Sequence, residues 1–231
     1  MGDLIMQPSN LKVSPKYSES KEMYLKALVE LDVFVSPTVS RLANRLGVTQ
    51  VSANEMVRRL TDQGLMIHTP YKGVNLTKKG RQLGNNVLRR QRLWECFLYD
   101  YLKVEWSRLY ELTCNLEHNT PPEVTESLAI YLNNPAQCPH GQPIPTVDGE
   151  CKSLKGIPLN QLGIGESASI LSVTESPLEV VEHFSQQGLL PGKHITLVNT
   201  TPLQGPLTLQ VGQAHIALGL QMAEQILVKR D

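Results

Sequence analysis

Apolar residues Met23, Leu25, Leu28, Val29 and Leu31 recur at the three-and-four spacing of one helix face, with Ser18 or Ser20 ahead as a cap and Glu22 in the first turn. The next stripe, Val39, Leu42, Ala43 and Leu46, follows Ser36-Pro37, a capping residue before a proline at a first helical position, and Gly47 closes it. Thr49 is placed to cap a third helix running to about residue 63, with Val51, Met56, Val57 and Leu60 predicted to face inward and Gly64 as the stop. Two short helices joined by a glycine turn predict a helix-turn-helix. The pattern then changes to period two at 65–69 and 74–77 around Pro70-Tyr71-Lys72-Gly73, which predicts a β-hairpin wing. Helical spacing returns from Thr77 through Gly84, Val87, Leu88, Leu93, Phe97 and Leu98, and two more helices are predicted at about 107–117 and 121–132.

Outside these stripes the chain is irregular in two places. Residues 1–20 are polar with Pro8 and Pro15 and predict a flexible arm, and 133–158 are rich in Pro and Gly and read as a loop and linker. From 159 onward, short segments at 167–173, 194–198, 207–211, 215–218 and 225–228 alternate with Gly and Pro turns, the pattern of a small all-β barrel. The expected architecture is therefore α+β: an arm at 1–20, a winged helix-turn-helix at 21–80, a helical domain at 81–134, a Cys/Pro/Gly loop and linker at 135–158, and a β domain at 159–231.

Charge gives this division a chemical meaning. The 231 residues balance 22 basic against 22 acidic side chains, yet residues 1–92 carry 15 basic and 7 acidic, while 93–158 carry 4 and 9 and 159–231 carry 3 and 6. A basic N-terminal part joined to acidic remainders points to a polyanion partner, and a helix-turn-helix makes double-stranded DNA the natural one. On the second helix of that motif, Thr49, Gln50, Ser52 and Asn54 stand where side chains reach base edges, since Gln and Asn can bond adenine in a bidentate manner and Thr and Ser serve as short donors. Arg58, Arg59 and the wing residue Lys72 are candidates for phosphates. Taken singly, each polar residue also has a structural reading, Thr49 as a plain cap and Asn54 as a solvated helix residue. No apolar run approaches the ~20 residues needed to span a bilayer, and the N-terminus lacks a signal-peptide core, so a cytoplasmic chain with no membrane partner is expected.

Candidate chemistry lies in the middle third. Cys114, Glu117 and His118 stand at i, i+3 and i+4 on one predicted helix and share a face, so thiolate, carboxylate and imidazole together make a ligand set. Zinc, iron(II), cobalt or nickel accept this mixture, while magnesium and calcium do not favour the sulfur. Four cysteines, Cys96, Cys114, Cys138 and Cys151, fall within 56 residues, and four thiolates are what an iron–sulfur cluster requires. Their wide spacings lack a compact Cys-x-x-Cys signature. A metal-dependent hydrolase using Cys114 and His118 with Glu117 as base is a further reading, though the chain has no Gly-rich phosphate loop, nucleophile elbow or His-Glu-x-x-His, and no small-molecule substrate is expected.

Several motifs together carry a resemblance. Ser20-Lys21-Glu22-Met23-Tyr24-Leu25 ahead of the winged helix, Arg89-Arg90-Gln91-Arg92-Leu93-Trp94-Glu95, Cys114-Asn115-Leu116-Glu117-His118, and Cys138-Pro139-His140-Gly141-Gln142-Pro143-Ile144-Pro145 resemble the DtxR/MntR metal-dependent repressors over roughly residues 20–231. The resemblance implies a homodimer fixed by a divalent metal in a geometry that fits a palindromic operator, with the helical domain serving dimerisation and metal binding. It implies Met23, Cys114, Glu117 and His118 as ligands, the set of the iron-responsive branch, so that Fe(II) is expected and Mn, Co, Ni or Zn are possible. The tail around Gly188-Leu189-Leu190-Pro191-Gly192 resembles a FeoA-type SH3-like domain. Two positions depart from the family: Gln91 and Tyr110 replace histidines of an ancillary site, of whose helical ligands only Glu95 remains, and Pro177 and Val180 occupy its aligned tail positions. The ancillary site is expected to be absent or altered. Sensing through an iron–sulfur cluster on the four cysteines is the alternative within the same regulator class.

Overall fold

The structure is a computed structural model that describes residues 17–31, 37–69, 73–174, 176–203 and 205–231. It divides into two compact units, one of Met1–Gln91, Asn115–Asn134 and Pro145–Cys151, the other of Arg92–Cys114, Pro135–Ile144 and Lys152–Asp231.

The first unit opens with α1 (Glu19–Leu31), α2 (Val39–Leu46) and α3 (Gln50–Asp62). Local chemistry sets the turn between the last two. Thr38 caps α2 by accepting from the Arg41 N–H at 3.2 Å, Gly47 ends it in the left-handed region at φ 63°, and the Thr49 hydroxyl accepts from the Ser52 N–H at 3.2 Å to start α3. The cap expected at Ser36 falls to Thr38; Ser36 itself lies outside the described residues. Leu25, Leu28, Leu42, Ala53, Val57, Leu60, Leu65 and Val74 are buried together as the core of this part. Val51, expected inward, is 78% exposed. The inward face of α3 is Ala53, Val57 and Leu60, and two steps of about 100° put Val51 on the opposite side.

Strands β1 (Met66–Thr69) and β2 (Gly73–Leu76) pair antiparallel with Met66 opposite Leu76 and Thr69 opposite Gly73, forming the wing. Helix α4 (Lys78–Asp100) follows directly, and α5 (Leu109–Asn119) and α6 (Pro122–Tyr131) complete the helical part; the division between the units falls within α4 and α5. The start of α4 is docked on Leu65, in the turn between α3 and β1. The Thr77 N–H donates to the Leu65 carbonyl at 3.1 Å, and a Cβ on Gly80 would lie 1.9 Å from that carbonyl oxygen. Glycine is required there by the close approach of backbone to backbone.

In the second unit, β3 (Ile157–Pro158), β4 (Ser167–Val173), β5 (His194–Thr200), β6 (Leu207–Val211), β7 (Ala214–Leu218) and β8 (Ile226–Arg230) form one antiparallel sheet in the order β3-β8-β4-β5-β6-β7. The sheet is an open array whose edges are β3 and β7. Helices α7 (Leu178–Gln186) and α8 (Leu220–Ala223) interrupt the strand pattern that the sequence suggested. Pro177 stands at the N-cap of α7, and Val181 and Phe184 are buried three residues apart, a helical spacing hidden between strand segments. Among the described residues no helix is long and apolar enough to cross a membrane.

The substitution Gly80→Ala is expected to lower the unfolding free energy by about 1–3 kcal/mol, because backbone overlap outweighs the gain in helix propensity. A urea titration of the two proteins followed by circular dichroism checks this, and an unchanged midpoint would contradict it.

Candidate metal centres and nucleic-acid interface

Helix α3 presents Thr49, Gln50, Ser52, Asn54, Arg58 and Arg59 to solvent. Its amino end is braced by side chains: Thr49 Oγ1 bonds Ser52 Oγ at 3.0 Å, and Asn54 Nδ2 donates to the Gln50 carbonyl at 2.9 Å. Arg59 pairs with Glu55 one turn earlier, an exposed pair that a phosphate can displace at small cost. Lys72, assigned to phosphate from the sequence, lies outside the described residues.

The second cluster is built on α5. Its helical spacing brings the ligand atoms of Cys114, Glu117 and His118 within 4.8 Å of one another. The Glu117 carboxylate is fully buried, and the Lys26 ammonium, on α1, bonds both of its oxygens at 2.9 and 3.1 Å. His118 Nδ1 lies 2.7 Å from Glu22 Oε2, also on α1, and Arg90 on α4 pairs with Glu22 at 3.0 Å while its Nε donates to the Glu117 carbonyl. Burial alone would lower the His118 pKa; the carboxylates of Glu117 and Glu22 on either side outweigh it and raise the group to about 9. His118 Nε2 stands 3.2 Å from Glu117 Oε1, within ion-pair reach, and is buried without a well-formed hydrogen bond. A buried imidazole nitrogen without a well-formed hydrogen bond, beside a carboxylate and a thiol, fits a transition-metal cation. Met23 is half-buried on α1, between the two residues, Glu22 and Lys26, that reach α5.

The third cluster joins residues that the sequence held apart. Glu95 on α4 and Cys138 and His140 in the loop beyond α6 bring their ligand atoms within 4.8 Å, and all three are buried. His140 Nε2 donates to the Trp106 carbonyl at 3.1 Å, which turns Nδ1 toward Glu95 Oε2 at 3.2 Å. In the neutral ring with that tautomer, Nδ1 presents a lone pair to a carboxylate oxygen, an arrangement that calls for a proton or a metal cation between them. Glu95 Oε1 is buried with no partner. The donor set therefore fits a metal as well. Burial and the Glu95 charge push the Cys138 thiol well above its ordinary pKa, so thiolate character there depends on a cation nearby.

Strand β4 seats this loop. The Val173 N–H donates to the His140 carbonyl at 2.9 Å, Gln142 Nε2 donates to the Val173 carbonyl at 3.1 Å, and Gly141, at φ 78°, would place a Cβ 2.0 Å from the Leu171 oxygen. Tyr110, which stands where the resemblance leads one to expect a histidine, stacks on His140 with ring centroids 3.9 Å apart and donates its hydroxyl proton to the Val173 carbonyl. Gln91, at the other replaced position, is buried with Nε2 unpartnered one turn before Glu95 on α4. The ancillary histidines are thus replaced by one aromatic wall and one amide, while Cys138 and His140 join Glu95. The Cys-x-His spacing of 138–140 was the available signal for this; its partner lies more than forty residues away.

The four cysteines do not act together. Cys114 belongs to the α5 cluster and Cys138 to the Glu95 cluster; Cys96 is buried with Sγ 3.7 Å from the Gln137 carbonyl, and Cys151 is exposed. Burial, then the charges of Glu95 and Asp100, push the Cys96 thiol up to about 12.

A wing-bearing helix-turn-helix followed by helices that converge carboxylate, thiol and imidazole donors defines a DNA-binding protein with metal-ligating side chains in its helical part. Residues 16–74 match the family described as iron dependent repressor, N-terminal DNA binding domain; 77–146 match iron dependent repressor, metal binding and dimerisation domain; and 157–230 match the FeoA domain. The chain belongs to the DtxR/IdeR family of metal-dependent transcriptional repressors. It is 27% identical over 225 residues to the iron-dependent repressor IdeR of Mycobacterium leprae, covering 92% of this chain and 97% of that one. A solved manganese-dependent transcriptional repressor in complex with manganese superposes with a TM-score of 0.84 at 25% identity, over 91% of this chain and 100% of the other. ScaR with bound Cd2+ gives 0.81 at 28% identity, over 91% and 99%. These relatives give no support to the iron–sulfur reading of Cys96, Cys114, Cys138 and Cys151, and the division of the thiols described above corrects it.

In a timed iodoacetamide reaction of the metal-free protein at pH 7.5, Cys151 is expected to label first and Cys96 and Cys138 last, by at least about tenfold in rate, because thiolate and access are both needed. Peptide mass spectrometry reads the order; early labelling of Cys96 would contradict its placement.

Proposed function

We propose that this protein is a homodimeric, cytoplasmic repressor that binds a palindromic DNA operator when a divalent transition metal, Fe(II) foremost, occupies the cluster of Cys114, Glu117 and His118 with Met23 as a further ligand. The observation that carries this reading is the convergence of three unlike donors on one face of α5, with a buried imidazole nitrogen that makes no well-formed hydrogen bond among them. Sulfur from Cys114 and Met23 favours a transition metal over magnesium or calcium, and the thioether favours iron(II) over harder cations. When bound, the metal would supply positive charge shared between α1 and α5. The chain's own residues do the rest: Glu117 and His118 hold α5 to that charge, Met23 ties α1 to it, and α1 packs in the same core as α3.

Metal that binds the operator-competent arrangement better than its alternatives shifts the population toward it by that difference in affinity. On the DNA side, Gln50 and Asn54 are assigned to base edges, Thr49 and Ser52 to bases or phosphate, and Arg58, Arg59 and Lys72 to phosphate. Asn54 must release the Gln50 carbonyl to reach an adenine. Glu95, Cys138 and His140 are assigned to a second metal. The family's dimerisation domain at 77–146 supports the homodimer. A hydrolase would need an open coordination position and a substrate pocket, and the repressor relatives favour regulation.

His118→Ala and Glu117→Gln are each expected to reduce bound Fe(II) or Mn(II) by one equivalent per chain and to weaken metal-dependent operator binding at least about tenfold, a loss of about 1.4 kcal/mol or more. Equilibrium dialysis with elemental analysis, and anaerobic fluorescence anisotropy with operator DNA, read the two effects; an unaltered metal response would remove the site. Arg58→Ala is expected to weaken binding to specific and random DNA alike and to reduce the slope of log K against log salt by about 1. A slope equal to that of the parent protein would take Arg58 off the phosphate backbone.

A further inference from the structure

The α5 cluster already holds a cation. Both oxygens of the Glu117 carboxylate are occupied by the Lys26 ammonium, at 2.9 and 3.1 Å, with 3% of one side chain and none of the other reaching solvent. Charged groups gather around that carboxylate from three helices: Lys26 and Glu22 from α1, Arg90 from α4, and His118 from α5 itself. Lys26 and Arg90 stand beside the two carboxylates, and His118 lies between those carboxylates. A divalent cation placed on Cys114, Glu117 and His118 would share one singly charged carboxylate with an ammonium that is almost wholly shielded from water. Repulsion between cations is weakly screened at such depth. The lysine stem has four flexible carbons, so the ammonium can swing away, but only by leaving a buried partner.

We propose that Lys26 is an internal competitor for the metal: its ammonium holds Glu117 in the metal-free protein, is displaced when metal binds, and thereby sets the metal concentration at which the protein responds. This rests on the assignment of the α5 cluster as a metal site and adds the residue that tunes it. The consequence is a cation exchange on one buried carboxylate. In the metal-free state Lys26 links α1 to α5; with metal bound, the same two helices are joined through Glu117, His118 and Met23. The link is exchanged, so the metal must outcompete a tethered rival whose effective concentration is fixed by the fold. Lys26 contributes to the stability of the metal-free form in proportion to how much it weakens metal binding, since both effects come from one contact.

The test compares the full-length protein with Lys26→Leu, Lys26→Gln and Lys26→Arg, using Co(II) as the probe. Leucine removes the charge without adding a ligand atom, glutamine keeps a neutral donor to Glu117, and arginine keeps the charge. Anaerobic titration calorimetry reads affinity, and thermal melting of the metal-free protein reads the apo contact. His118→Ala in the parent identifies the Co(II) equivalent that belongs to α5. Lys26→Leu is expected to bind that equivalent about tenfold or more tightly than the parent, because an opposing buried charge is gone. Its metal-free form is expected to melt lower, and its rise in Tm on adding Co(II) to be larger. Lys26→Gln is expected to shift affinity in the same direction with a smaller loss of apo stability, which keeps the test decisive if the leucine variant does not fold without metal. Lys26→Arg is expected to retain the weak binding of the parent. Equal or weaker Co(II) binding by the neutral variants would overturn the competitor role while leaving the metal site standing. If His118→Ala loses no Co(II) equivalent, the site assignment fails and the competitor role fails with it.

Discussion

A carboxylate with no exposure to water must be met by positive charge, and in the first unit that demand falls on Glu117. The cost of stripping water from an isolated carboxylate is large enough that the group is found paired, neutralised or bound to metal. The fold answers with a lysine from α1 on both oxygens and an arginine from α4 on the backbone of the same residue. Because α1 also supplies Leu25 and Leu28 to the core shared with α3, the partner of Glu117 belongs to an element of the same core as the second helix of the helix-turn-helix.

The second unit meets a similar demand differently. Glu95 is buried beside a histidine and a thiol, and one of its oxygens has no hydrogen-bond partner. A tethered ammonium meets the Glu117 carboxylate directly, whereas the imidazole of His140 lies against Glu95. Two clusters of overlapping donor types thus differ in what meets the carboxylate, a lysine on both oxygens of Glu117 and an imidazole on Glu95. Exchange of a protein cation for a metal is an equilibrium, and its midpoint moves with the strength of the protein's own contact.

Much of this was legible in the sequence because it is local. Thr49 as a cap, Gly47 as a stop, the strand at 167–173 and the i, i+3, i+4 face of Cys114, Glu117 and His118 all depend on residues within one or two turns of one another. What was illegible depends on distance along the chain. Lys26 lies on the buried stretch of α1, where periodicity alone assigns a lysine to the solvent side, and its partner is 91 residues away. Val51 was read inward because it is apolar, although the angular step of the helix gives that place to Ala53. His140 meets Glu95 across 45 residues, and the interval is closed by a loop whose path no spacing rule describes. Helix α7 was masked by the strand segments on either side.

The seat of that loop has an architectural consequence. Gly141 lies against the Leu171 oxygen, the Val173 N–H holds the His140 carbonyl, and the Val173 carbonyl receives both Gln142 and Tyr110. Strand β4, in the FeoA-type part of the chain, is thus the mould in which a constellation written elsewhere in the sequence is cast. A chain cut ahead of Ile157 would keep Glu95, Cys138 and His140 in its primary structure and lose the template that sets their mutual orientation. Among the described residues, the sheet orients the Glu95, Cys138 and His140 cluster from outside it.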